Sequence, residues 1–188
     1  MLVVWTAVAA LVVRRYPGPN ALDHWGFSLI HPSLHSSVLI RVTDFGSVPV
    51  LAGGSVLAAL VVVGRDQRRA VACLIGPPVA TLLVQWCIKP LVARHYLQVL
   101  TFPSGTMTVA ASLAAAWALA VPGWLRWVVV AAGLAAVVLT SVAVLALRWH
   151  YPSDVLAGVA FGVGMVLLVD GVLHRPARGR PAASSPTW

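Results

Sequence analysis

Residues 125–173 read LRWVVVAAGLAAVVLTSVAVLALRWHYPSDVLAGVAFGVGMVLLVDGVL, two apolar runs separated by one polar stretch, RWHYPSD. The runs cover residues 125–147 and 154–173, and each has the ~20 residues that an α-helix needs to cross a hydrocarbon core. Proline is favoured in the first turn of a helix, so Pro152 is expected to open the second helix. The pattern predicts two membrane-spanning helices joined by a short polar connection.

Four further apolar runs precede this pair, at residues 1–13, 46–64, 70–88 and 105–121. The chain of 188 residues is 60% hydrophobic and 10% charged, with a mean hydropathy of +0.89. A soluble domain of this size does not present such a composition to water. The sequence therefore predicts an all-α integral membrane bundle of about six transmembrane helices, of which the first is short for a full span.

The remaining segments divide the chain into one domain and a tail. Residues 1–174 form the predicted transmembrane domain. Within it, residues 25–45 mix apolar side chains with serine and histidine, as an interfacial segment does. Residues 175–188 are rich in arginine, proline and serine and are expected to form a disordered cytoplasmic tail.

The basic residues flank the apolar runs. The formal charge of +8 therefore fits anionic lipid head groups, and the charge is not gathered as a nucleic-acid-binding face would require. Once the basic residues of the candidate site are discounted, arginine is in excess on the side that carries both termini. The positive-inside rule then predicts a multi-pass protein of the cell (plasma) membrane with cytoplasmic termini and an extracytoplasmic site.

Three polar stretches interrupt the apolar pattern at what should be the same membrane face. They are residues 89–96 (KPLVARHY), 102–106 (FPSGT) and 148–154 (RWHYPSD). Connections between successive spans alternate between the two faces, so these three can converge. Together they would place two cations, a helix N-terminus and an imidazole around one anion, which are the groups that hold and attack a phosphate.

The first two stretches offer groups that bind phosphate. Lys89, the only lysine, and Arg94 lie at the end of the third span and could neutralise phosphate oxygens. Ser104 and Gly105 precede the fourth run, so their backbone N–H groups should lie at a helix N-terminus, which binds anions. Each has a structural alternative, because basic residues at span ends snorkel and Ser-Gly is a common cap.

The third stretch offers a nucleophile. His150 and Asp154 frame a helix start, where the carboxylate could accept a hydrogen bond from one ring nitrogen and leave the other free to attack. In the alternative interpretation, Asp154 is only a first-turn acid of the helix and His150 is an interfacial residue. The sequence shows no metal-ligand cluster, and this chemistry needs no metal or other cofactor.

Taken together, the three stretches resemble the type 2 phosphatidic acid phosphatase family of lipid phosphate phosphatases, whose active-site architecture is shared with vanadium-dependent haloperoxidases. The most specific part is HYPSDVLAG, which begins at His150. The resemblance implies an all-α, lipid phosphatase/haloperoxidase-like fold. It also implies that His150 forms a phosphohistidine and that Asp154 orients it. The phosphate-binding residues that it implies are Lys89, Arg94, Ser104 and Gly105.

The motifs are incomplete, so the chain resembles a divergent member. Tyr96 and Leu97 stand where the family usually has Arg-Pro, and Thr106 replaces the histidine of Pro-Ser-Gly-His. Ala143 and Val144 occupy the positions of an expected Ser-Arg pair. The missing histidine normally protonates the leaving oxygen, a role worth ~10²- to 10⁴-fold in rate. Thr106 could support the site only through a hydrogen bond from its hydroxyl group, because threonine is not an acid near neutral pH.

Other residues could support the site. His95, or His31 and His35 of the interfacial segment, could replace the missing acid. Arg148 lies two residues before His150 and could replace a missing arginine. Residues two apart on a helix point to different faces, so this requires the helix to end before Arg148.

The leading hypothesis is an enzyme of envelope lipid metabolism. It would hydrolyse a phosphomonoester or diphosphate on a polyprenyl lipid or glycerolipid through a phosphohistidine. Its partners would be that lipid, membrane lipids, and a membrane protein or a second copy of the chain. The alternative is a degenerate, non-hydrolytic lipid-phosphate-binding subunit or regulator of an envelope assembly, and transfer to another acceptor also stays open. A transporter is disfavoured, because the spans hold almost no ionisable residue apart from Asp170.

Overall fold

The computed structural model describes residues 1–33, 36–96 and 98–175. Arg175 is the one residue of the predicted tail that the structure describes. His35 and Leu97 also lie outside the described residues. Within them the helices are α1 (Leu2–Arg15), α2 (Ala21–Leu29), α3 (Ser37–Thr43), a 3-10 turn (Asp44–Gly46), α4 (Val48–Val62), α5 (Gln67–Leu83), a π-helical turn (Val84–Ile88), α6 (Lys89–Val92), α7 (Gly105–Ala120), α8 (Leu125–Ala146) and α9 (Pro152–Leu173). Two short antiparallel strands, β1 (His95–Tyr96) and β2 (Val99–Leu100), form a hairpin.

Several of these helices can cross a membrane. The segments Gln67–Val92, Leu125–Ala146 and Pro152–Leu173 are long and apolar enough, and Ser37–Gly46 with Val48–Val62 makes a fourth candidate that is bent by 45°. The all-α membrane fold is therefore confirmed. The count of six spans stays a prediction, because α1 has only 14 residues and α7 only 16.

Helix α7 is the centre of the bundle and packs against α4, α5, α8 and α9. Two glycines of α9 allow the closest of these contacts. A Cβ built on Gly158 would lie 2.5 Å from the Ser104 carbonyl oxygen, and one on Gly162 would lie 2.5 Å from the Thr108 carbonyl oxygen. Small residues four apart let two helix backbones approach in this way. The contact holds the N-terminus of α7 against the first turns of α9.

The predicted interfacial segment is largely helical. Helix α2 begins with a capping box, in which Asn20 and Asp23 each accept the other's backbone N–H at 3.0 Å. Three residues after Asp23, Gly26 lies against α9, and a Cβ built there would be 2.6 Å from Pro152 Cγ. Helix α2 is thus fitted directly over the polar stretch that opens α9.

Candidate functional site

The structure brings the three polar stretches together at one end of the bundle. The backbone N–H of Ser104 donates to the Asp154 carbonyl at 3.0 Å, which joins the second stretch to the third. A cavity of about 340 Å³ joins the first stretch to the third. Its lining residues are Lys89, Tyr96, Val99, Leu100, Arg148, Trp149 and His150.

Lys89 faces the N-terminus of α7. It opens α6, directly after the π-helical turn Val84–Ile88. A Cβ built on Gly105 would lie 3.9 Å from Lys89 Nζ, an ordinary contact distance, and 2.6 Å from Gln85 Nε2, so a larger residue there would make the Gln85 side chain move. Lys89 takes part in none of the ion pairs formed among the described residues. Sequence reasoning overlooked Gln85, although a glutamine four residues before Lys89 in an apolar run was a usable signal.

Ser104 is the N-cap of α7. Its buried Oγ accepts the Met107 backbone N–H at 3.4 Å, and its carbonyl oxygen accepts the Thr108 hydroxyl at 2.9 Å. The capping alternative is therefore realised. A hydroxyl that accepts one hydrogen bond can still donate another, so the cap does not exclude a ligand at this helix start.

His150 and Asp154 lie close together without a hydrogen bond. The distance from His150 Nδ1 to Asp154 Oδ2 is 3.9 Å, and Nδ1 is buried with no hydrogen-bond partner among the described residues. Asp154 Oδ2 instead accepts the Tyr151 backbone N–H at 3.1 Å, as a first-turn acid does. The imidazole therefore lines the cavity, and its Nδ1 lies near the Asp154 carboxylate but beyond hydrogen-bonding distance.

Arg94 was expected to hold phosphate, and the structure places it elsewhere. Its guanidinium is 0% exposed and makes five hydrogen bonds, which use all five N–H groups. The acceptors are Asp154 Oδ1 at 2.6 Å, Asp23 Oδ2 and Ser153 Oγ at 2.7 Å, and the carbonyl oxygens of Pro17 and Gly18 at 3.0 Å. No N–H group is left for a phosphate in this arrangement.

The carboxylate of Asp23 was not singled out from the sequence, because it lies 71 positions before Arg94. Burial by itself raises the pKa of Asp23. Hydrogen bonds from the Asn20 backbone, Ser153 and Arg94 outweigh that effect and hold the pKa below its usual value. The guanidinium also stacks on the Tyr151 ring at 4.1 Å. Burial raises the pKa of Tyr151, and nearby Arg94 opposes that shift.

Arg148 lies beyond the end of a helix, as the sequence analysis required if it were to act beside His150. Helix α8 ends at Ala146, and Arg148 has a left-handed backbone with φ of 56°. Its Nη2 donates to the carbonyl oxygens of Phe27 at 3.4 Å and Ile30 at 3.2 Å, where α2 ends, and the residue also lines the cavity. Arg148 therefore binds α2 and adds positive charge to the cavity.

The other candidates lie outside the cavity lining. The methyl group of Thr106 packs against Gly46 of the 3-10 turn, and His95 and His31 are exposed. His35 lies outside the described residues. Among the residues that the structure describes around the cavity, His150 is the one histidine.

A sequence model of the PAP2 superfamily matches residues 89–175, the part of the chain that contains all three stretches. Residues 89–175, slightly less than half of the chain, are therefore similar to the PAP2 superfamily. The resemblance inferred from the motifs is confirmed, and the match supports a phosphatase-type function. No curated protein and no solved structure gives a match.

The PAP2 segment begins at Lys89 and runs through α6 to α9. Helices α1 to α5 precede it, and one of them reaches the site, since Asp23 of α2 binds Arg94. The buried ion cluster therefore joins the PAP2 segment to the part of the chain that the match leaves out.

Proposed function

We propose that the protein is a membrane phosphatase that hydrolyses a lipid phosphate or diphosphate through a phosphohistidine on His150. The observation that carries the proposal is the cavity in which Lys89 and Arg148 accompany the imidazole. Two cations beside a nucleophile suit a phosphate group, whose transition state spreads negative charge over its oxygens.

In the proposed reaction, His150 Nε2 attacks phosphorus while Nδ1 donates its proton towards Asp154. The N–P bond forms as the bond from phosphorus to the leaving oxygen breaks; this is the lipid oxygen of a monophosphate or the bridging oxygen of a diphosphate, and the lipid oxygen takes a proton from water. A second water then attacks phosphorus, the N–P bond breaks, and inorganic phosphate leaves. Lys89 and the backbone N–H groups of Gly105 and Thr106 would hold the phosphate oxygens in both steps, since the Ser104 N–H is bonded to the Asp154 carbonyl.

A lipid substrate fits the rest of the cavity lining. Val99, Leu100 and Trp149 supply apolar surface beside the charged groups. A head group could lie against the cations while the first carbons of its chain contact these side chains. In the proposed orientation this end of the bundle faces the extracytoplasmic side.

The test is phosphate release from lipid monophosphates and diphosphates by the purified protein in mixed micelles. Wild type should release phosphate, and His150→Ala should not. His95→Ala is the matched control, because that histidine is exposed on β1, and it should keep wild-type activity. The proposal is wrong if wild type and His150→Ala release phosphate at the same rate from every substrate.

A second candidate is a protein that binds lipid phosphate without hydrolysing it. The 3.9 Å gap between His150 Nδ1 and Asp154, with no other histidine in the described cavity lining, favours it. Rapid quenching with labelled lipid phosphate separates the candidates. A phosphohistidine on His150 supports the enzyme, and stoichiometric binding without that adduct supports the binding protein. Adding an acceptor alcohol to the same assay distinguishes phosphotransfer from hydrolysis.

A further inference from the structure

The buried cluster of Asp23, Arg94 and Asp154 contains two carboxylates and one guanidinium. All three side chains are 0% exposed, and the ion pairs measure 2.6 and 2.7 Å. Buried charges need both a partner and a full set of hydrogen bonds. Arg94 has both, so its charge is shared between Asp23 and Asp154.

The shared charge leaves the cluster with one negative charge in excess. His150 lies next to that excess, with its unpartnered Nδ1 3.9 Å from Asp154 Oδ2. An imidazole that attacks phosphorus becomes positively charged, and a neighbouring anion stabilises that charge strongly in a site of low polarity. If Asp23 were neutral, Arg94 and Asp154 would cancel, and Asp154 would attract the imidazole less.

We propose that Asp23 is a positioning residue of the site: through Arg94 it fixes the Asp154 carboxylate and leaves its negative charge for His150. The inference rests on the proposed function, because it assigns a role in forming the phosphohistidine. It places a functional residue on α2, outside the PAP2 segment.

The position of Asp23 demands a carboxylate. Its Oδ1 accepts the Ser153 backbone N–H at 2.9 Å, and its Oδ2 accepts the Asn20 backbone N–H and Arg94 Nη2. All three neighbours are donors. An asparagine would point its NH₂ group at one of them in either orientation, so Asp23→Asn removes the charge and at least one hydrogen bond.

Steady-state kinetics on a lipid phosphate test the proposal. Asp23→Asn should lower kcat about 10- to 100-fold, the factor that corresponds to one hydrogen bond to a charged group, with KM changed less than about twofold. Asp23→Glu, which keeps the charge, should recover part of kcat. Asp44→Asn, the same change at an exposed position of the 3-10 turn, should match wild type.

A second measurement does not depend on turnover. Diethyl pyrocarbonate modifies nucleophilic imidazoles, and mass spectrometry reads the rate at each histidine. Asp23→Asn should slow modification of His150 at least about threefold and leave the exposed His95 unchanged as an internal reference. If Asp23→Asn does not fold, Arg94→Lys gives the same test, since lysine keeps the charge but cannot supply five donors.

The outcomes separate this inference from the proposed function. Folded Asp23→Asn with wild-type kcat and wild-type His150 reactivity overturns the inference, and leaves the phosphatase standing if wild type is active. An inactive wild type whose His150 still loses reactivity in Asp23→Asn overturns the phosphatase and retains the positioning role. A variant that only melts earlier, with both other readouts unchanged, shows that Asp23 is merely structural.

Discussion

At the residue scale, Lys89 and Arg94 look alike in the sequence and differ in the structure. Both are cations in one polar stretch, so both were assigned to phosphate. The guanidinium of Arg94 donates hydrogen bonds to five protein acceptors. Lys89, in contrast, forms none of the ion pairs found in the described part of the chain. Three of the acceptors belong to Pro17, Gly18 and Asp23, and local sequence carries no sign of such distant partners.

Methionine substitutions distinguish these two cations. Lys89→Met should lower kcat/KM about 10- to 100-fold by removing a hydrogen bond to a charged ligand, with stability changed by less than about 0.5 kcal/mol. Arg94→Met leaves two buried carboxylates without a counter-charge and should cost about 3–5 kcal/mol of stability. Kinetics and thermal unfolding in detergent check both. Equal melting temperatures for the two variants would contradict this assignment.

Thr106 leads to a prediction about the leaving group. Without an acid in the histidine position, the lipid oxygen must depart with little help, so a weakly basic leaving group should react much faster. We expect a lipid diphosphate, whose leaving group is the lipid monophosphate, to turn over at least about 100-fold faster than the monophosphate of the same chain, whose leaving group is an alkoxide. A ratio near one in wild type would point to an acid elsewhere.

At the element scale, the long helices follow their apolar runs closely. The runs at residues 125–147 and 154–173 became Leu125–Ala146 and Pro152–Leu173, because hydrocarbon length and the proline rule act locally. The π-helical turn before Lys89 and the left-handed backbone of Arg148 could not be predicted in this way. Both depend on contacts between elements, such as the α2 carbonyls that receive Arg148.

The docking of α2 onto α9 depends on one glycine. Gly26→Val would force side-chain atoms into the rigid Pro152 ring and should cost about 1–3 kcal/mol, as overpacking does. Gly53→Ala is the control: nothing lies within 4 Å of a Cβ there, and alanine should stabilise α4 by roughly 0.5–1 kcal/mol. Thermal unfolding measures both changes. A Gly26→Val protein as stable as wild type would show that α2 docks differently.

At the scale of the whole molecule, the two ends of the bundle hold separate polar clusters. Opposite the candidate site, His174 Nε2 lies 3.0 Å from Asp66 Oδ2, and His174 Nδ1 lies 3.3 Å from Asp170 Oδ1. Arg69 Nε approaches both carboxylates, at 3.8 and 3.6 Å. These contacts tie the α4–α5 connection to the end of α9. The sequence predicted Asp170 only as an exception among apolar residues, since its partners come from another helix.

This second cluster should respond to pH. A hydrogen bond to the Asp170 carbonyl and one to Asp66 raise the pKa of His174 above 6.5. The stability that His174 contributes to the folded state is therefore fully present below pH 6.5, and it is lost as the pH rises through the raised pKa. Hydrogen bonds from the Arg69 backbone and from His174 lower the pKa of Asp66 below 3.8. The stability that Asp66 contributes is therefore lost as the pH falls through its lowered pKa.

Hydrogen exchange in the α4–α5 connection measures the effect. After correction for intrinsic rates, protection of residues 63–69 should be greater at pH 6 than at pH 9. His174→Gln should remove the difference, and His95→Gln should not. Equal protection at the two pH values in wild type would show that the histidine does not hold this connection.

The ion cluster around Arg94 has a consequence for synthesis. Asp23 emerges from the ribosome 71 residues before the arginine that it binds. The two backbone carbonyls at Pro17 and Gly18 emerge earlier still. Three of the five acceptors are therefore synthesised before Arg94, so the guanidinium can form hydrogen bonds in the nascent chain before α9 has been synthesised.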